Sequence, residues 1–112
     1  MTGMVKYGET VKVFYRKTEA VIDGTKFELA YYILKTPVAI DELKADTYGI
    51  EIVKSNLDGV EISRTSEIDI WTGLPEAETL TNRLVDRKSS PENLHNIVIE
   101  YVDEISCVEY VS

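Results

Sequence analysis

Ala20-Val21-Ile22-Asp23-Gly24-Thr25-Lys26-Phe27 is the stretch on which the fold turns. Asp23 and Gly24 both tolerate a positive φ, as the two central residues of a type I′ hairpin turn require, and apolar residues flank them on either side. Closing a hairpin there sets Ile22 opposite Thr25 and Ala20 opposite Phe27. Followed outward, the same register sets Tyr15 opposite Tyr32, Phe14 opposite Ile33 and Val13 opposite Leu34. Apolar pairs then fall on both faces, so the strand over Phe27–Leu34 is expected to be internal. Glu19 falls opposite Glu28, a mildly unfavourable like-charge pair.

Beyond this hairpin, Pro37 is expected to end the strand. Residues 38–47 should form a connection in which Asp41-Glu42-Leu43-Lys44-Ala45-Asp46 makes one helical turn. A second hairpin joins Tyr48–Asn56 to Val60–Ile70. Its loop, Leu57-Asp58-Gly59, suits a type I turn followed by a left-handed glycine. That register puts Tyr48, Ile50, Ile52, Ile62 and Ile68 on one face and Glu51, Glu61, Glu67 and Asp69 on the other. A slip by one residue would exchange the two sets.

Helical periods follow. The first helix is expected near Leu74–Lys88, with Pro75 in its first turn and Ala77, Leu80, Leu84 and the flanking Val85 on its apolar side. The second opens at Ser90, a cap, and Pro91. Leu94, Ile97, Val98, Tyr101, Val102 and Ile105 then recur at helical spacing. Strands followed by helices predict an α+β fold: an antiparallel sheet of two β-hairpins, then two antiparallel helices packed on one face. Residues 1–112 are expected to form a single domain, with a core over about 10–105 and a C-terminal tail over 106–112.

Composition narrows the function. The chain carries 20 Asp and Glu against 12 Lys and Arg, a net charge of −8, and 44% of its residues are hydrophobic. The charge is uneven: residues 1–40 balance at +2 and residues 41–112 at −10. Such a surface repels nucleic acid and anionic membranes and attracts a basic partner. One cysteine, Cys107, cannot form an internal disulfide, which suits a reducing compartment. The start of the chain is too short and polar for a signal peptide, and the longest apolar run, Leu29–Leu34, is far below membrane-spanning length. A cytoplasmic protein is expected.

Candidate sites are few. His95 is the one histidine. It lies about 90° from the centre of its helix's apolar stripe, with Ile99 at about 130° and Val102 on the same flank. An apolar flank there needs cover from the tail, a second copy or a partner, and Val108 and Tyr110 belong to that same tail. Trp71, at the junction of sheet and helices, is a natural lid or an anchor for a partner. Glu51, Glu61, Glu67 and Asp69 form a row that could imitate phosphates. No His or Cys pair, calcium-loop spacing, nucleophile elbow or Gly-rich phosphate loop is present, so no catalytic residue, metal site or cofactor is expected.

Tyr31-Tyr32-Ile33-Leu34, Tyr48-Gly49-Ile50-Glu51-Ile52 and the helix opening Ser90-Pro91-Glu92-Asn93-Leu94-His95 together resemble a family of small uncharacterised proteins of clostridia-like Gram-positive bacteria, catalogued as a domain of unknown function. The likeness spans roughly residues 10–105 and implies a bacterial cytosolic origin. It carries over no activity, cofactor or site residue.

The expected function is therefore a small regulatory or adaptor-like protein that binds another protein without catalysis, on surfaces that would also support a homodimer. An acidic nucleic-acid mimic that occupies a DNA- or RNA-binding protein is the alternative. A small-ligand domain or enzyme using His95 or Glu51 is the third.

Overall fold

The computed structural model describes residues 5–71 and 73–101, apart from the side chains of Val5, Asp69 and Trp71. A curled antiparallel sheet and two helices make an α+β fold. The strands are β1 (Val5–Tyr7), β2 (Val11–Ile22), β3 (Thr25–Ile40), β4 (Leu43–Ser55) and β5 (Glu61–Trp71). Helix α1 is Leu74–Asp86, a 3-10 turn spans Pro91–Asn93, and α2 covers 94–101 of the described residues. β3 is flanked by β4 on one side and by β1 and β2, end to end, on the other; β5 closes the far edge.

The Asp23-Gly24 turn forms as expected, with Ile22 opposite Thr25, Ala20 opposite Phe27 and Glu19 opposite Glu28. Like charge there is offset by two diagonal ion pairs, Lys17–Glu28 and Lys26–Glu19, each 3.3 Å. Past Arg16 the expected register fails. A bulge at Tyr15 shifts the pairing by one, so Phe14 faces Tyr32 and Val13 faces Ile33. The extra residue exchanges the faces that Phe14 and Tyr15 take relative to the register continued from the turn. Tyr15 packs against the core, and its hydroxyl donates to Asn82 Oδ1 of α1 at 2.8 Å. Phe14 stands on the other face, edge-on to Tyr32.

Pro37 does not end β3, and residues 38–47 make no helical turn. The strand runs on to Ile40, turns at Asp41-Glu42, and returns from Leu43. A proline inside a strand normally removes a ladder bond. In an antiparallel strand each residue's N–H and C=O point to the same neighbour. Pro37 C=O accepts from Gly8 N–H at 2.7 Å, so its missing N–H faces the gap between β1 and β2. The interruption of the neighbouring strand is what makes the proline tolerable.

The second hairpin has its expected loop. Gly59 adopts φ +85°, its N–H donates to Asn56 C=O, and Asn56 Oδ1 accepts from the Asp58 and Val60 amides. Farther along, β5 departs from the expected parity. Ile50 faces Glu67 and Ile52 faces Thr65, while Ile62 and Ile68 are exposed. Irregularities between Lys54 and Ser55 and between Tyr48 and Ile50 reset the register.

The core joins Leu29, Tyr31, Ile33, Ile50 and Ile52 of the sheet to Ala77, Leu80 and Leu84 of α1 and Leu94 and Val98 of α2. The apolar positions read from helical spacing in α1 are thus the buried ones. α1 ends without glycine: Lys88 takes φ +51°, and the Arg87, Lys88 and Ser89 amides close on Arg83, Val85 and Leu84 carbonyls. Ser90 does not cap by its side chain, contrary to expectation; its carbonyl accepts from Asn93 N–H at 3.1 Å and its hydroxyl from Asn93 Nδ2 at 3.2 Å. Among the described residues no helix is long and apolar enough to cross a membrane.

Candidate functional site

Both described helices lie on the Tyr31 face of the sheet, so no described helix covers the Tyr32 face. Alternation along β3 sends Ala30, Tyr32 and Leu34 to that face. Pairing then assembles two rows across four strands: Phe14, Tyr32, Glu51 and Ser66 in one, and Lys17, Ala30, Val53 and Arg64 in the next. Lys12 flanks them, opposite Leu34. Leu34 and Val53 on this face are nevertheless buried. Phe14 is 55% exposed. A shallow cavity of about 480 Å³ runs beside the rows, lined by Phe14, Lys17, Tyr32 and Val53 among others.

Glu51 is the centre of this face and only 5% exposed. Its Oε1 accepts from the Ser66 hydroxyl at 2.8 Å and lies 3.6 Å from Arg64 Nη1. Its Oε2 is buried and meets only the Lys12 ammonium among the described residues, 3.0 Å away. Burial pushes the carboxyl up, but Lys12, Ser66 and Arg64 together outweigh it, and the pKa is lowered. Glu51 is therefore an anion at neutral pH. Lys12 Nζ also sits 4.6 Å from the centroid of the Tyr32 ring, within cation–π reach. The arrangement holds a cation between a carboxylate and an aromatic face.

The four acidic residues expected on one face are divided. Glu51 and Glu61 lie on the uncovered side, both paired to Arg64. Glu67 lies on the helix side, its Oε1 2.7 Å from His95 Nδ1. The side chain of Asp69 lies outside the described residues. Glu67 thus does not share a face with Glu51 and Glu61. His95 and Glu51, the two groups considered for chemistry, stand on opposite faces of the sheet.

The remaining expected positions fare differently. Ile99 is 45% exposed, as its helical angle implied. The side chain of Trp71, and Val102, Val108 and Tyr110 entirely, lie outside the described residues. Near His95, Glu92 accepts from Lys54 Nζ at 2.8 Å and from Ser63 at 3.1 Å, which ties the entry of α2 to β4 and β5. The Lys54 contact, with a backbone amide and the Ser90 and Ser63 hydroxyls, lowers the Glu92 pKa to about 2. No group of three or more His, Cys, Asp or Glu gathers among the described residues to hold a metal.

Sequence reasoning overlooked Lys12, Phe14, Arg64 and Ser66. Their signal was present as alternating polar and aromatic positions on neighbouring strands, but the row appears only once the bulge at Tyr15 has set Phe14 opposite Tyr32.

A curled antiparallel sheet, the described helices on one side and a mixed aromatic and charged platform on the other, defines a small α+β domain. The chain belongs to a family of unknown function, DUF6514, which matches residues 10–104. Comparison with curated proteins and with solved structures finds no match to either.

Proposed function

We propose that this protein is a small adaptor-like module that binds another protein through the uncovered face of its sheet and carries out no catalysis. The observation that supports the reading is the Phe14–Tyr32 pair, with ring centroids 5.7 Å apart at 73°, in which Phe14 is exposed on edge strand β2 and Tyr32 is half-buried. Aromatic pairs with charged neighbours are the composition of interface anchors. The single cysteine and the acidic balance fit a bacterial cytoplasmic setting and a basic partner. Homodimerisation through the same face is the natural competitor.

Capture from native, nuclease-treated lysate tests this reading. The wild type should retain a stoichiometric partner that Phe14→Asp loses, with the folded spectrum of the variant intact. A partner retained equally by both would overturn it. Recovery of the protein alone, with a dimer by light scattering, would replace the adaptor with a homodimer.

A further inference from the structure

We propose that the Glu51–Tyr32 pair is a seat for a lysine side chain of the protein partner, and that Lys12 occupies it in the unbound molecule. The inference rests on the adaptor reading above and names the chemistry that the uncovered face selects.

Three observations carry it. First, a carboxylate at the centre of a sheet is costly to bury unless a cation answers it. Glu51 Oε2 meets the Lys12 ammonium and no other donor among the described residues. Second, the seat is shaped for an ammonium rather than merely negative. Nζ of Lys12 touches the carboxylate at 3.0 Å and lies 4.6 Å from the Tyr32 ring centroid, with Phe14 edge-on against that ring. The resident lysine is a working stand-in for a ligand lysine. Third, the occupant can leave. The Lys12 side chain is 39% exposed and reaches in from edge strand β2, so withdrawal returns its ammonium to water. Glu51 then keeps Ser66 and Arg64 as partners, and a long side chain regains rotamer freedom on release. Net charge of −8 steers a basic partner toward the molecule.

Exchange of one ammonium for another leaves the buried charge answered in both the unbound and the bound molecule. Lys12 then acts as a competitor whose removal should strengthen binding. An occluded seat reduces apparent affinity by the fraction of time it is open. For a partly exposed ion pair that fraction corresponds to about a fivefold effect.

The test is an amide-resolved NMR titration with the acetylated and amidated peptide Gly-Gly-Lys-Gly-Gly, against the same peptide bearing Nε-acetyl-lysine. The wild type should show saturable shifts at Tyr32 and Ser66 with the lysine peptide alone. Lys12→Met, which keeps an apolar stem over Tyr32, should bind it about fivefold tighter. Glu51→Gln should lose binding in either background, its unfolding midpoint being measured in parallel. Equal affinity in wild type and Lys12→Met, equal binding of the acetylated peptide, or retention by Glu51→Gln would each overturn the proposal. The lysate experiment separates this from the broader reading: a partner lost by Phe14→Asp but kept by Glu51→Gln leaves the open face standing and removes the lysine seat. A partner kept by both removes the two together.

Discussion

Gly49→Ala would test how β5 is laid against β4. Gly49 has no positive φ, so a side chain there meets no backbone penalty of its own. The obstacle is space. A Cβ at position 49 would stand 2.0 Å from the Glu67 carbonyl oxygen and 2.7 Å from Ile68 Cα, against about 3.4 Å for an ordinary contact. β5 would therefore have to retreat by about 1.4 Å, and the atoms in the way are backbone, which cannot rotate aside. Overpacking costs about 1–3 kcal/mol. Loosening one or two ladder bonds beside Ile50 and Glu67 adds about 1 kcal/mol each. Against this, replacing glycine restricts the unfolded chain and returns about 0.4–1 kcal/mol. The balance is a loss of about 3 kcal/mol, a large share of the roughly 5–15 kcal/mol that holds a small domain together. Urea unfolding should show a midpoint lower by about 2 M, taking a slope of about 1.5 kcal/mol/M. A midpoint equal to or above that of the wild type would refute the close approach of β5 to Gly49. Gly24→Ala serves as a control of opposite kind: nothing lies within 4 Å of its Cβ, but φ is +80°, so it should cost about 1–2 kcal/mol through backbone alone.

Further outcomes follow from individual contacts. Tyr31 is fully buried and its hydroxyl donates to the Ser89 carbonyl at 2.8 Å, so Tyr31→Phe should lose about 1–2 kcal/mol in urea unfolding by leaving that carbonyl unpaired. Leu84, also fully buried between α1 and the sheet, should cost about 2–5 kcal/mol as Leu84→Ala by the same assay. Glu92 has a folded pKa lowered to about 2 from 4.5, so its contribution is present above pH 4.5 and is lost as pH falls toward 2. Its side chain is 53% exposed, so screening leaves about 0.5–1 kcal/mol. Thermal melts of wild type and Glu92→Gln should differ at pH 7 and converge near pH 2. A constant difference across that range would assign the effect to something other than the ion pair with Lys54.

What the sequence by itself determined were the features carried by residue type over a few positions. The turns at Asp23-Gly24 and at Gly59 need left-handed backbone, and few other residues supply it cheaply. The buried side of α1 follows from helical spacing, and Ala77, Leu80 and Leu84 are all fully buried. Only the tertiary structure decided where the register shifts, and so which face the residues beyond each shift take. The bulge at Tyr15 answers to Asn82, 67 residues away, and no local pattern reports that partner. Pro37 sits inside β3 because the strand beside it is interrupted, and Gly49 is small because β5 crosses it. Strand period is two, so each such shift of one residue moves a side chain to the opposite face. That is why Glu67 joined His95 on the helix side, and why Phe14, Tyr32, Glu51 and Ser66 came to stand in a single row.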